Sequence, residues 1–251
     1  MDSVGFRLDI GGFCALPFRQ RLEKNCGRHC RVATPIMVVL GRGIDSLMIA
    51  VIDYKAGNLT SVLKALRHLG AEPEVTDGDL APVESAERIV LPGVGHFQAT
   101  ERLDATGLTR AIRAAIARGV PFLGICVGMQ WLYAGSSESP NQPGLGHFAE
   151  SCARFPDDTE KVPHVGWNSL EMRAGSRLLA GVNPGEFVYF THSYRAPITA
   201  DAAAITHYIG PFAAAVERAN VMGVQFHPEK SGETGLNILR NFLLWKSEGI
   251  A

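Results

Sequence analysis

The chain has 251 residues and a formal net charge of −1 at pH 7. This length accommodates one α/β domain with an appendage, and the near-neutral charge argues against a protein that binds nucleic acid or a membrane surface. No apolar run reaches the roughly 18 residues of a membrane span. The five cysteines are an odd number without the spacing of a secreted disulfide framework, so we expect a reducing cytoplasm. We also expect no metal or other cofactor.

The first segment of the chain, residues 1–47, has no clear amphipathic period and carries more basic than acidic residues. Cys26, His29 and Cys30 have a spacing that suggests zinc, but this region lacks the second half of such a motif. The acidic residues disfavour a transit peptide. We therefore predict a poorly structured extension over residues 1–47, for which a misplaced translation start is one explanation, and a single domain over residues 48–251.

Strand and helix patterns alternate from Met48 onward. Residues 48–52 are continuously apolar, as in a buried parallel strand. Apolar residues then recur at helical spacing over residues 59–69, short strand patterns follow near residues 74–75 and over residues 88–91, and a helix is predicted over Leu108–Ala117. This alternation predicts a doubly wound sheet with functional loops at the carboxyl ends of its strands.

A cysteine stands at the end of the next apolar strand. Residues 120–125 form that strand, and Cys126 lies between Gly124 and Gly128, with a helical pattern after it. This G-x-C-x-G spacing is typical of a tight strand–nucleophile–helix turn, in which the helix N-terminus favours a thiolate. The alternative is an inert cysteine in the core, because free cysteines are often buried.

The loop at residues 92–95, Pro-Gly-Val-Gly, follows the third strand and offers backbone donors. Acyl transfer creates a tetrahedral oxyanion that needs two N–H groups. We expect one from Val127, directly after the cysteine, and the other from Val94 or Gly95, where glycines allow the backbone to turn a donor inward. The alternative is a sharp strand exit, since Gly and Pro mark turns.

The last part of the chain supplies a second catalytic pattern. A strand with aromatic residues is predicted over residues 186–190, and the alternation over residues 213–217 indicates antiparallel pairing. A strand that ends at His227, followed by Pro and Glu229, places a general base where it can serve a cysteine and a carboxylate that orients the imidazole. The predicted fold is therefore α/β, with a mostly parallel central sheet flanked by helices and an antiparallel extension.

Together, Gly124-Ile-Cys126-Val-Gly128-Met-Gln130 and Gln225-Phe-His227-Pro-Glu229-Lys-Ser231 resemble class I, triad-type glutamine amidotransferases over essentially residues 48–251. Shorter motifs, among them Pro163-His-Val-Gly-Trp-Asn168 and Tyr189-Phe-Thr-His-Ser-Tyr194, are similar to the glutamine amidotransferase subunit of imidazole glycerol phosphate synthase. Two positions depart from that pattern. Val127 stands where leucine is usual, and Lys55-Ala56 stand where a glycine is frequent.

This resemblance implies a role for each matching residue. Cys126 is the nucleophile, His227 the base and Glu229 its orienter. The remaining expected site residues are Gly93, Gln130, Ser193 and Tyr194 for glutamine, and Asn58, Trp167 and Lys230 for a partner subunit.

The implied reaction is hydrolysis of glutamine to glutamate and ammonia through a glutamyl thioester. Because the amidotransferase pattern occupies the chain after Met48, the ammonia needs a separate acceptor. The resemblance implies a (β/α)8-barrel cyclase that makes imidazole glycerol phosphate and aminoimidazole carboxamide ribotide in histidine biosynthesis. The alternatives are a class I amidotransferase of another pathway, such as anthranilate, purine or pyridoxal phosphate synthesis, and a catalytically silent regulatory paralogue.

Overall fold

A computed structural model describes residues 47–56, 59–156 and 160–246. The predicted extension therefore lies almost entirely outside the described residues, and Asn58 does too. The strands are β1 (Ile49–Ile52), β2 (Pro73–Thr76), β3 (Arg88–Gly93), β4 (Phe122–Cys126), β5 (Gly135–Ser136), β6 (Ser151–Arg154), β7 (His164–Ser169), β8 (Glu171–Met172), β9 (Phe187–His192), β10 (Tyr194–Arg195), β11 (Ala202–His207), β12 (Pro211–Arg218) and β13 (Val221–Val224). The helices are α1 (Leu59–His68), α2 (Ala81–Ser85), α3 (Glu101–Ala105), α4 (Leu108–Ala117), α5 (Val127–Gln130) and α6 (Gly232–Leu243), with 3₁₀ turns at Phe97–Thr100 and Pro228–Lys230.

The central sheet has the strand order β2-β1-β3-β4-β13-β12-β11-β8 within the described part of the chain. Strands β2, β1, β3, β4 and β13 pair in parallel, whereas β12, β11 and β8 pair antiparallel. The inner parallel strands are buried along nearly their whole length, as expected when helices cover both faces of a sheet. The prediction of a mostly parallel sheet with an antiparallel extension is confirmed.

Three strand ends meet at one edge of this sheet. In the parallel register Gly93 of β3 lies opposite Cys126 of β4, and Val224 of β13 lies opposite Ile125. The sequence predicted a strand that continues to His227, but β13 ends at Val224. Its neighbour β4 turns away at Cys126. Gln225 N–H still donates to the Ala214 carbonyl of β12 at 2.8 Å, whereas His227 N–H donates to the Tyr189 carbonyl of β9 at 2.9 Å.

Strands β7 and β9 form a separate antiparallel ribbon beside this edge. Directly opposed residues of a ribbon point to the same face. One face places His164 and His192 in the core, where they are 3% and 6% exposed. The other face carries Val165, Trp167 and Phe187, which are 57%, 55% and 57% exposed. The ribbon therefore joins a buried polar core to an exposed apolar surface.

Candidate active site

Cys126 occupies a strained turn between β4 and α5. Its φ of +55° and ψ of −108° lie outside the regions that an ordinary residue prefers, and such strain is stored where the surroundings impose it. A Cβ on Gly124 would lie 2.4 Å from the Gly128 carbonyl oxygen, and a Cβ on Gly128 would lie 1.9 Å from that of Leu91. The positions two residues before and two residues after the cysteine must therefore be glycine for the turn to close.

Helix α5 is shorter than the sequence pattern indicated. It spans only Val127–Gln130, and the chain continues in turns through Tyr133. The first amides of a helix carry most of the positive potential of its N-terminus. The Val127 amide therefore remains available beside Cys126. The additional positive potential of a longer helix, which the sequence pattern suggested, is absent.

His227 and Glu229 form a buried pair next to this turn. His227 Nδ1 lies 2.8 Å from Glu229 Oε1, and both side chains are 1% exposed. Burial by itself lowers the pKa of His227, but interactions with Cys126 and Glu229 outweigh it and raise the pKa to about 10. His227 Nε2 has no hydrogen-bond partner among the described residues. This nitrogen is therefore the one left for an interaction with Cys126.

Gln225 is a contact of Cys126 that the sequence analysis did not identify as a site residue. Its Nε2 lies 3.6 Å from Cys126 Sγ, and its Oε1 accepts a hydrogen bond from Gln130 at 3.1 Å. Gln225 lies two residues before His227, in the bend that follows β13. That spacing was the signal in the sequence that could have indicated it.

A cavity of about 200 Å³ opens over Cys126. Of the residues expected to contact glutamine, Gln130, Ser193 and Tyr194 line it, and Gly93 does not. Of the expected oxyanion donors, Gly95 and Val127 line it, and Val94 does not. The other lining residues are Cys126, Glu138, Pro163, Thr191 and His192.

The Val94 amide is engaged away from the cavity. Its N–H donates to the Ala56 carbonyl at 3.1 Å. Gly95, the next residue, has a φ of +98°, a conformation that glycine adopts without strain. For Val94 to stabilise an oxyanion, its peptide has to leave the bond to Ala56 and turn toward Cys126.

A chain of buried hydrogen bonds runs from the β7–β9 ribbon to the cavity. Asn168 Nδ2 lies 3.4 Å from His164 Nε2, His164 Nδ1 lies 3.0 Å from His192 Nε2, and His192 Nδ1 lies 2.8 Å from the Tyr194 carbonyl. One assignment satisfies all three contacts, with each imidazole neutral and protonated on Nδ1. Burial lowers the pKa of His164 to about 4 and that of His192 to about 3.

This buried pair predicts a loss of stability in mild acid. The unfolded histidines bind protons below their ordinary pKa of about 6.5, whereas the folded ones do not. Stability is therefore present above that pKa and falls as the pH drops. We expect the free energy of unfolding to decrease by about 2–4 kcal/mol between pH 7 and pH 5, as measured by urea denaturation.

Two variants identify the residues responsible for this slope. A phenylalanine ring at position 164 fits the stack with Phe190 and Tyr208. His164→Phe should therefore remove about half of the pH dependence, because one of the two buried histidines remains. His207→Gln changes a histidine whose side chain is 65% exposed and should leave the slope unchanged. An undiminished slope in His164→Phe would contradict the assignment.

Comparison with known proteins identifies the family of the chain. The family described as "Glutamine amidotransferase class-I" matches residues 50–245. Imidazole glycerol phosphate synthase subunit HisH of Deinococcus radiodurans is 45% identical over 198 residues, which covers 77% of this chain and 92% of that protein. The protein of the same name from Nostoc punctiforme is 47% identical over 209 residues, covering 81% of this chain and 98% of that protein.

Solved structures show the same fold. A structure described as a glutamine amidotransferase matches with a TM-score of 0.62 at 18% identity, over 78% of this chain and 98% of that one. PurLQS from Thermotoga maritima matches with a TM-score of 0.60 at 20% identity, over 78% of this chain and 96% of that one. At such low identity the likeness concerns the fold alone.

The family match over residues 50–245 shows that the chain belongs to the class-I glutamine amidotransferases. Within the class it belongs to the HisH subunits of imidazole glycerol phosphate synthase. The family, fold class and enzyme type predicted from the sequence are confirmed. In the described part of the chain, no helix is long and apolar enough to cross a membrane.

Proposed function

We propose that this chain hydrolyses glutamine with Cys126 as nucleophile, His227 as the proton-transferring group and Glu229 as its orienter. The observation that carries the proposal is the buried His227–Glu229 pair. The Nε2 atom of His227 has no hydrogen-bond partner among the described residues, and His227 interacts with Cys126. A nucleophile, a base and a third group that orients the base form the arrangement that covalent acyl transfer requires.

The reaction follows from these positions. The Cys126 thiolate attacks the side-chain amide carbon of glutamine and forms a tetrahedral oxyanion. As this intermediate collapses, protonated His227 gives its proton to the leaving nitrogen, which departs as ammonia. His227 then takes a proton from water, the water attacks the glutamyl thioester, and glutamate leaves as the thiolate is restored.

Two backbone amides are proposed to stabilise the oxyanion, as predicted from the sequence. Val127 N–H lies directly after the nucleophile, and Val127 lines the cavity. The second donor comes from residues 93–95, where the Val94 amide becomes available once it leaves the Ala56 carbonyl. The described conformation is therefore a resting one with respect to this donor.

The ammonia is proposed to pass to a cyclase subunit with a (β/α)8-barrel fold, which makes imidazole glycerol phosphate and aminoimidazole carboxamide ribotide. The name of the HisH relatives describes a subunit of a synthase, and so supports a partner. The exposed apolar face of the β7–β9 ribbon, with Trp167 on it, suits such a partner. Lys230 adjoins this face, with Nζ 5.7 Å from the Tyr189 ring centre.

A location in the cytoplasm fits a biosynthetic enzyme that depends on a free thiol. Cys126 and Cys152, the cysteines within the described residues, are both free and buried. Disulfide formation at Cys126 would remove the nucleophile, and a reducing compartment prevents this. The cytoplasm therefore remains our proposal for where the chain works.

The domain is proposed to begin at Met48. We expect a chain that starts at Met48 to unfold at the same temperature as the full chain and to bind the cyclase equally well, because the α/β pattern after that residue is complete. Thermal denaturation and size-exclusion chromatography with the cyclase measure both properties. An insoluble or non-binding truncated chain would show that residues 1–47 are part of the domain.

The function is tested by steady-state hydrolysis of glutamine, with and without the cyclase subunit and its nucleotide ligand. Glutamine-dependent formation of imidazole glycerol phosphate supports the proposal. Hydrolysis that responds to a synthase of another pathway, and not to the cyclase, would identify a different class I amidotransferase. No hydrolysis under any of these conditions would identify a silent paralogue.

A further inference from the structure

Tyr54 carries a buried hydroxyl that the reaction as described does not use. The residue is the second after the end of β1, and it is 2% exposed. Its hydroxyl has no hydrogen-bond partner among the described residues. Burial, with a smaller contribution from Cys126, raises the pKa of this phenol far above its usual range. The hydroxyl is therefore a permanent proton donor without an acceptor, and such a buried group is destabilising.

The unpaired hydroxyl lies against Gly93, between β3 and the nucleophile turn. A Cβ on Gly93 would lie 2.0 Å from Tyr54 Oη, 2.9 Å from Val127 Cβ and 3.1 Å from the Gly128 amide nitrogen. The hydroxyl thus fills the space that a side chain at position 93 would occupy. Gly93 itself lies opposite Cys126 in the sheet register, so the hydroxyl lies beside the peptide that leads into Val94.

The orientation of the Gly93–Val94 peptide decides whether Val94 N–H faces the nucleophile. In the structure this N–H donates to the carbonyl of Ala56, two residues after Tyr54. A trans peptide is planar, so its N–H and C=O groups point in opposite directions. Turning the N–H toward Cys126 therefore turns the Gly93 carbonyl toward the segment of Tyr54 and Ala56. There the Gly93 carbonyl would face the Ala56 carbonyl, and two acceptors facing each other are unfavourable unless a hydrogen-bond donor lies within reach.

We propose that Tyr54 is a positioning residue whose hydroxyl donates a hydrogen bond to the Gly93 carbonyl when this peptide turns, and so holds the Val94 N–H toward the oxyanion. The proposal rests on the glutaminase function proposed above. The hydroxyl is unpaired in the resting orientation and paired in the reactive one. Because it interacts differently with the two orientations, it shifts their populations toward the reactive one.

The test is Tyr54→Phe, assayed as the complex with the cyclase subunit and its nucleotide ligand at saturating concentrations. We expect kcat for glutamine hydrolysis to fall about tenfold, which corresponds to about 1.4 kcal/mol. The KM for glutamine should stay the same, because the bond forms only in the reactive orientation. The melting temperature should not fall, since phenylalanine removes an unpaired hydroxyl and keeps the ring.

Tyr133→Phe is the matched control. Tyr133 is 0% exposed, and its hydroxyl also lacks a hydrogen-bond partner among the described residues, but none of the three atoms nearest to a Cβ on Gly93 belongs to it. This variant should retain the kcat and KM of the unaltered chain. Ammonia-dependent synthesis by all three complexes should be equal, because that reaction takes place in the cyclase.

A further measurement separates positioning from a direct effect on the thiolate. The rate at which iodoacetamide alkylates Cys126 reports the thiolate as a function of pH, and Tyr54→Phe should leave that pH profile in place. A shifted profile would overturn the proposal in favour of a direct effect, and a lowered melting temperature would overturn it in favour of a structural role. An unchanged kcat would refute the positioning role alone, whereas an unaltered complex that does not hydrolyse glutamine would refute the proposed function.

Discussion

Cys126→Ala is expected to lower glutamine hydrolysis by about 10⁴-fold or more, because alanine leaves no nucleophile to form the thioester. The cavity over position 126 and the His227–Glu229 pair remain in place. Synthesis from added ammonia by the complex should continue at its usual rate, because the ammonia then bypasses this subunit. Steady-state assays with glutamine and with an ammonium salt measure the two activities on the same preparation.

Cys152→Ala is the matched control for this substitution. Cys152 is also a free, buried cysteine, with 1% exposure, and burial raises the pKa of its thiol well above the ordinary range. It does not line the cavity over Cys126. Its variant should hydrolyse glutamine normally. If Cys126→Ala retained hydrolysis and Cys152→Ala lost it, the nucleophile would be Cys152, and the proposed assignment to Cys126 would be wrong.

The second large effect is expected from the partner. The free chain should hydrolyse glutamine slowly, because its Val94 N–H is bound to the Ala56 carbonyl. The complex with the cyclase and its nucleotide ligand should be about 10²–10³-fold faster, which is the effect of one oxyanion donor in a hydrolase where it was measured. Turnover of glutamine by the free chain, the complex and the ligand-bound complex gives this ratio.

These three states also distinguish the mechanisms of activation. A partner or ligand shifts the peptide only if it binds the reactive orientation more tightly. If assembly alone gives the full rate and the ligand adds nothing, the partner is the switch. Equal turnover in all three states would rule out a switched oxyanion donor. Ammonia-dependent synthesis serves as the control, since the orientation of Val94 has no part in it.

Much of the architecture could be predicted from local pattern. Continuous apolar runs predicted the buried parallel strands, and helical spacing predicted α4 with the bounds Leu108–Ala117 that the structure has. The glycines around Cys126 predicted a tight turn, and close backbone contacts at Gly124 and Gly128 explain them. Such features are local because each depends on residues within a few positions of one another.

The sequence by itself determined the class of enzyme and its family, because the cysteine and histidine motifs lie in short stretches that keep their own spacing. Only the tertiary structure decided which side chains and amides meet. The contact of Gln225 with Cys126, the pairing of His164 with His192 and the burial of Tyr54 against Gly93 join residues far apart in the chain. The direction of the Val94 amide was also beyond the sequence, because glycine-flanked peptides accept more than one orientation and the bond to Ala56 selects one of them.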